Sequence, residues 1–202
     1  MPLQNRVDPW GKLNAVSQYG TLLGNRGRLH DDRKLIKQFA GKAWITCILG
    51  GESGRGKVFG PSGYSELFFL DEATAFASGH RPCAQCRRPR YNDFKTAWIE
   101  ANRENFEKAR PAIADIDAVL HRERIADGEK VTYPAPIGSL PIGSMFDLGG
   151  RAYLVDGECI KKWSFSGYID AEAPSPETIV SVLTPKSIVT MFARGFQPEI
   201  GH

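Results

Sequence analysis

The chain has 202 residues, of which 42% are hydrophobic and 24% charged, a composition typical of a globular protein large enough to bury its own core. A net charge of +3 does not by itself identify a nucleic-acid-binding protein, and no stretch of about 18 apolar residues occurs that could cross a membrane. The first residues, MPLQNRVDPWGKL, lack the basic-then-apolar order of a signal peptide, so we expect a cytoplasmic protein without membrane contact.

The amino-terminal half is predicted to mix short strands and helices. The first forty residues are rich in Gly and Arg and predict loops or short hairpin strands. Strands are then expected at KAWITCIL and YSELFFL, with a turn or loop, GGESGRGKVFGPSG, between them. Asp71 is the expected N-cap of a short helix that ends at Gly79. A long helix over residues 91–110 should bury Phe94 and Trp98.

The carboxy-terminal half is predicted to be rich in strands. A second short helix is expected over residues 112–125, where VLHRER forms a solvated face with Val119 and Leu120 pointing inward. The Pro- and Gly-rich stretch DGEKVTYPAPIGSLPIG is the best internal boundary. A β-meander follows, with turns at residues 149–150, 156–157 and 166–167. The chain closes with a strand and a helix capped by Thr184, with Pro185 in its first position and Gly195 after its end.

These elements predict an α+β protein with two regions. Residues 1–126 form a strand-helix module followed by helices, and residues 127–202 form a small β-rich half that ends in a strand-helix unit. FASGHRP and FARGFQP, at residues 76–82 and 192–198, share Phe, Ala, Gly and Pro at equal spacing. Only the first copy continues into two cysteines and an arginine cluster, so this addition is the functional candidate.

The pair Cys83 and Cys86 has the spacing that lets two thiolates bind one tetrahedral metal ion. A structural zinc site needs two more ligands. Cys47 is one candidate, because its strand is expected to lie beside YSELFFL, although a buried apolar cysteine is the alternative interpretation. His80 is adjacent to the turn and is the other candidate, unless it only flanks the helix. The remaining residues of suitable chemistry are His30, His121 and Cys159.

The segment LFFLDEATAFASGHRPCAQCRRP resembles the metal-binding domain of the Ada DNA-repair proteins, over about Trp44 to Arg90. The resemblance implies an Ada-like strand-helix module in which Cys83 and Cys86 are zinc ligands and neighbouring basic residues face DNA phosphates. The first cysteine pair of that family, which holds the methyl-accepting nucleophile, is replaced here by GGESGRGKVFGPSG, so methyl transfer is not implied. The whole chain also resembles a bacterial protein family to which no activity is assigned.

Basic residues concentrate near this motif. Residues 1–60 contain ten basic and four acidic residues, and the rest of the chain is slightly acidic. The main hypothesis is a nucleic-acid-binding protein, related to DNA repair or processing and contacting DNA rather than RNA, with a structural zinc. An ordinary solvated face is the alternative interpretation of these charges. The phosphate-contacting residues would be Arg55, Lys57, Arg81, Arg87, Arg88 and Arg90.

The first alternative is a hydrolase of the nuclease type. His30 precedes Asp31 and Asp32, and His121 lies two positions before Glu123. Such groupings can bind a metal ion or activate water, so His30, His121 and Glu123 are the catalytic candidates.

Two further alternatives use the cysteine pair differently. A zinc deaminase would combine the P-C-x-x-C at residues 82–86 with a histidine-acid motif, for which residues 30–32 are the nearest candidate. A thiol redox protein would use Cys83 and Cys86 directly, since flanking arginines and a helix start lower the pKa of a thiol.

Overall fold

The computed structural model describes residues 1–50, 58–60, 63–105, 111–157 and 159–201. Within these residues the chain forms four α-helices and four sheets, which confirms the predicted α+β class. No helix in the described part of the chain is both long and apolar enough to cross a bilayer. Most of the predicted loop GGESGRGKVFGPSG, including Arg55 and Lys57, lies outside the described residues.

The amino-terminal sheet has six strands in the order β2-β1-β7-β3-β6-β8. Their bounds are β1 Arg6–Val7, β2 Leu13–Asn14, β3 Leu22–Asn25, β6 Ile45–Ile48, β7 Leu67–Phe69 and β8 Arg81–Pro82. A separate hairpin joins β4 His30–Asp31 to β5 Lys34–Leu35. The predicted pairing of the Cys47 strand with YSELFFL is wrong, because β3 lies between β6 and β7 and is antiparallel to both.

The helices lie in the order that the sequence predicts, but the bounds predicted for the long helix, residues 91–110, are wrong: it begins at Arg88, with Pro89 in its first turn, and ends at Ala101. A 3-10 turn follows over Arg103–Asn105, and residues 106–110 lie outside the described residues.

Four α-helices are thus described. They are α1 Glu72–Ala77, α2 Arg88–Ala101, α3 Ile113–Arg124 and α4 Lys186–Phe192. Asp71 caps α1 as expected, since its Oδ1 accepts the Thr74 amide hydrogen at 2.8 Å. The cap of α4 is Pro185 rather than Thr184, because the Thr184 hydroxyl accepts from the Met145 amide instead.

The helices share one aromatic core. Phe94 and Trp98 of α2 are fully buried, as their helical spacing predicts, and pack with Phe76 of α1, Leu120 of α3 and Phe192 of α4. The Phe76 ring contacts those of Phe94 and Phe192, so short α1 is anchored to this core just before β8 and the cysteine-containing turn.

The predicted β-meander is present as a six-stranded sheet in the order β11-β16-β12-β13-β14-β15. Its strands are β11 Tyr133–Pro136, β12 Met145–Leu148, β13 Arg151–Asp156, β14 Cys159–Ser164, β15 Gly167–Ala171 and β16 Ile179–Val182. A small hairpin of β9 Ile125–Ala126 and β10 Glu129–Lys130 precedes it.

Contacts join the two predicted regions across residues 126–127. Ala73 and Ala77 of α1 pack on Met145 and Leu154 of the second sheet. The Trp163 indole N–H donates to the Thr74 hydroxyl at 3.0 Å. The division into residues 1–126 and 127–202 stays a prediction, and the hairpin β9–β10 spans its boundary.

Candidate metal centre

Strand register brings Cys47 and Cys83 together. β6 and β8 are parallel, with Ile45 opposite Arg81 and Thr46 opposite Pro82. The next pair in this register is Cys47 and Cys83, and the Cys83 amide donates to the Thr46 carbonyl at 2.9 Å. Two residues far apart in sequence therefore become neighbours through backbone pairing alone.

The turn after β8 brings in the third cysteine. The Arg87 amide donates to the Cys83 carbonyl at 3.2 Å, which closes the turn, and the Gln85 amide donates to the Cys83 sulfur at 3.4 Å. The sulfurs of Cys47, Cys83 and Cys86 all lie within 4.8 Å of one another, and we call them the cysteine cluster. Tetrahedral zinc with Zn–S bonds of about 2.3 Å sets its sulfurs roughly 3.8 Å apart, so the cluster needs only a small contraction to bind it.

The thiols differ in acidity. Burial raises the pKa of Cys47, and the neighbouring thiols of Cys86 and Cys83 raise it further. Burial acts in the same direction on Cys83, but amide donors at Cys86 and Gln85 outweigh it, so the pKa of Cys83 is lowered. Cys83 therefore loses its proton more readily than Cys47, and a bound cation would be needed to hold the clustered thiols in the charged form.

The cluster lies in apolar surroundings. Leu23 is 2% exposed and packs against it together with Ile45, Tyr64 and Phe68. Cys47 and Cys83 are buried, whereas Cys86 is half-buried. Among the described residues, no further Cys, His, Asp or Glu joins the three sulfurs.

The other proposed ligand, His80, lies elsewhere and has other partners. Its Nε2 accepts from the Arg26 Nε at 3.1 Å, and its Nδ1 lies 2.9 Å from the Ser78 hydroxyl. Both ring nitrogens are thus engaged, and His80 is not part of the cysteine cluster. Cys159 is exposed on β14 and is not part of the cluster either.

Most of the arginine cluster is held in ion pairs. Arg81 binds both carboxylate oxygens of Asp117, at 2.7 and 2.8 Å. Arg87 and Arg90 both bind Glu72, at 2.9 and 2.6 Å. These three guanidiniums are therefore not free for phosphate contacts, whereas Arg88 is exposed. The carboxylates of Glu72 and Asp117 were not predicted as partners, because each belongs to a helix distant in sequence from the arginine that it binds.

The catalytic candidates do not form a catalytic group. His30 Nε2 donates to the Gly60 carbonyl at 3.0 Å, its Nδ1 accepts from the Ser65 hydroxyl at 2.6 Å, and its ring stacks on Phe59. His30 is not in the cysteine cluster, so the deaminase arrangement does not assemble among the described residues.

His121 and Glu123 contact different groups. The His121 Nδ1 accepts from Arg124 at 3.0 Å, and burial together with the charges of Arg124 and Lys42 lowers the pKa of His121. Glu123 accepts hydrogen bonds from the amide and hydroxyl of Ser187. His121 and Glu123 therefore do not act on one common site.

Comparison of the chain with known protein families, with curated proteins and with solved structures finds no match. The resemblance to the Ada-type domain therefore stays a prediction, and function is inferred from the geometry of the site.

Proposed function

We propose that the protein binds a structural zinc ion through Cys47, Cys83 and Cys86. The observation that supports this is the approach of three sulfurs to within 4.8 Å of one another. Soft thiolates in a tetrahedral arrangement favour zinc, which has no redox chemistry of its own and suits a structural role. The fourth position falls to a water molecule or to a group outside the described residues.

The proposed ion would add a crosslink to a turn that the ion pairs of Arg81 and Arg87 already hold on either side. β8 is only two residues long, and the turn that follows it leads directly into α2. A metal bound to Cys47 on β6 and to both cysteines of the turn would crosslink these segments. It would thereby fix the start of α2, where Arg88 is exposed.

Metal content tests this proposal. Protein purified without a histidine tag should contain about one zinc per chain, and Cys83→Ser should lose most of it, because two thiolates bind zinc far more weakly than three. Cys159→Ser is the matched control, since Cys159 is an exposed free thiol outside the cluster and its loss should leave the metal content unchanged. Elemental mass spectrometry measures both.

Two outcomes would contradict the zinc centre. Wild-type protein without metal would do so, as would equal zinc in Cys83→Ser. Mass spectrometry of the metal-free protein would then reveal whether two of the three neighbouring thiols form a disulfide, which would favour the thiol redox alternative.

We further propose nucleic acid, DNA rather than RNA, as the partner of the surface beside the zinc centre. Support comes from the exposed guanidinium of Arg88 next to the cysteine turn and from the Ada-type resemblance. Since Arg81, Arg87 and Arg90 are bound to carboxylates, this surface carries fewer free cations than the sequence indicates. We therefore expect weak, sequence-independent contacts with the phosphate backbone.

Arg88→Ala should weaken DNA binding and reduce its salt dependence. Loss of one phosphate contact lowers the slope of log affinity against log salt by about 0.9. Arg194→Ala, at another exposed position after α4, is the control and should change neither quantity. Fluorescence anisotropy with a labelled duplex at several salt concentrations measures both, and an unchanged slope in Arg88→Ala would remove this surface from the proposal.

A further inference from the structure

A second site lies apart from the cysteine cluster. A cleft of about 620 Å³ opens between the amino-terminal sheet and the β9–β10 hairpin, and we call it the cationic cleft. Its charged lining consists of five cationic residues and one carboxylate, and these are Lys12, Arg26, Lys37, Arg124, Lys130 and Glu129. None of the clustered cysteines lines it, so it is independent of the proposed zinc centre.

Two buried arginines lie against one tryptophan at the base of the cleft. Arg26 and Arg124 are each 2% exposed, and each guanidinium carbon lies 3.9 Å from the ring centre of Trp44. The prediction that VLHRER forms a solvated face is wrong for Arg124, because its guanidinium is buried against Trp44. Stacking on indole fixes both planar groups in position.

Neither guanidinium has a carboxylate partner in the described part of the chain. Arg26 donates to the His80 ring and to the Gly11 carbonyl, at 3.1 and 3.0 Å, and its Nη2 has no partner. Arg124 donates to the carbonyls of Gly79 and Lys42, at 2.8 and 2.7 Å, and its Nε has no partner. This contrasts with Arg81, which pairs fully with Asp117.

Lys130 adds a third cation. Its ammonium donates to the Ala77 carbonyl at 2.6 Å, which uses one of its three hydrogens. Burial lowers the pKa of Lys130 to about 7, and the charges of Arg26 and Arg124 act in the same direction against a small opposing effect of Asp8. The group is thus readily charged at neutral pH once an anion is present.

His80 does not add a further charge. Because Arg26 Nε–H donates to the His80 Nε2, the ring proton is on Nδ1, facing the Ser78 hydroxyl. Burial and the three cations keep the pKa of His80 well below its usual value. A neutral imidazole therefore orients Arg26 within a site that has excess positive charge.

We propose that the cationic cleft binds the phosphate group of a small phosphorylated ligand. Buried cations without carboxylates are costly in an empty site, and a phosphate dianion would supply both the charge and the acceptors that Arg26 and Lys130 lack. The cleft is larger than one phosphate, and half-buried Trp10, Leu13 and Leu35 line it as apolar surface for the rest of the ligand.

Sulfate tests the anion site directly. Sodium sulfate should raise the melting temperature of the wild type in a saturable manner, beyond the effect of sodium chloride at equal ionic strength. Lys130→Met should lose roughly tenfold in sulfate affinity, as expected for a charge-assisted hydrogen bond. Lys186→Met, at an exposed position on α4 outside the cleft, is the control and should bind sulfate as the wild type does.

The melting temperature of Lys130→Met without any anion gives a second readout. If Lys130 binds a ligand, Lys130→Met without anion should melt at a higher temperature than the wild type, because a half-buried ammonium beside the charges of Arg26 and Arg124 has been removed. If Lys130 serves only the fold, the same substitution should lower the melting temperature. A lower melting temperature with unchanged sulfate binding would overturn the proposal, and so would equal effects of sulfate and chloride on the wild type.

The pH dependence has a defined sign. Sulfate keeps its charge between pH 6 and 9, so changes in its affinity report on the protein. Anion binding raises the pKa of Lys130, so affinity should be constant below about pH 7 and fall, by up to about tenfold per pH unit, above it. Lys130→Met should abolish this fall, and a fall that persists in the variant would contradict the assignment.

Competition identifies the source of the phosphate. A mononucleotide should displace sulfate and bind more tightly than inorganic phosphate, while the corresponding nucleoside should not compete. A 5′-phosphorylated oligonucleotide that binds far more tightly than the mononucleotide would overturn the small-ligand assignment in favour of a nucleic-acid end. Because no clustered cysteine lines the cleft, Cys83→Ser should retain sulfate binding, which separates failure of this site from failure of the zinc centre.

Discussion

Replacing Glu72 with glutamine is expected to destabilise the protein by about 3 to 5 kcal/mol, the usual effect of breaking a buried ion pair from one side. Glu72 is 1% exposed and binds Arg87 at 2.9 Å and Arg90 at 2.6 Å. Its carboxylate also accepts a hydrogen bond from the Glu199 amide at 3.0 Å. Glutamine keeps the shape but not the charge, so Arg87 would lose its buried partner.

Glu199→Gln is the control for this substitution. The Glu199 carboxylate contacts the same Arg87 guanidinium at 3.1 Å, but its side chain is 69% exposed. Its replacement should cost less than about 1 kcal/mol, as for other solvent-exposed pairs. Urea denaturation measures both variants, and similar losses for the two would show that burial does not set the strength of these contacts.

Replacing Gly79 with alanine is expected to cost about 3 kcal/mol or more. Gly79 has φ of +83°, which disfavours any side chain, and a Cβ there would lie 2.4 and 2.7 Å from the Cδ and Cβ of Arg124. Arg124 cannot easily move, because it is 2% exposed and donates to the Gly79 carbonyl. Sulfate binding in the cationic cleft should weaken as well, since Arg124 is displaced.

Gly128→Ala separates backbone strain from steric overlap. Gly128 has nearly the same φ, +81°, but a Cβ there would meet nothing within 4 Å. We expect a loss of about 1 kcal/mol, which reflects conformation alone. Thermal denaturation with and without sulfate tests both variants. If Gly79→Ala cost no more than Gly128→Ala, close packing of Arg124 on the backbone would be refuted.

Local sequence signals predicted the helices well. Asp71 as a cap and the buried positions Phe94 and Trp98 depend on neighbours a few residues away. Gly79 and Gly195, both inferred to end helices, have φ of +83° and +98°. The spacing of Cys83 and Cys86 likewise indicated a shared site without knowledge of the fold.

Non-local features could not be read from the sequence. The position of β3 between β6 and β7 depends on long-range pairing for which the sequence carries no register signal. The partners of Arg81 and Arg87 come from other elements, so an apparent basic patch proved to be largely neutralised. Arg124 was assigned to solvent from its polar neighbours, whereas tertiary contacts with Trp44 bury it.

The parallel register of β6 and β8 also limits what a motif comparison can detect. Successive side chains of a strand point to opposite faces, so a single inserted residue between Gly79 and Cys83 would turn Cys83 away from Cys47. The C-x-x-C pattern would remain intact in such a relative, yet the three-thiol group would be gone. Retention of the cysteine cluster in related chains should therefore be judged by the number of residues between Gly79 and Cys83 together with a cysteine at the Cys47 position, and not by the cysteine pair alone.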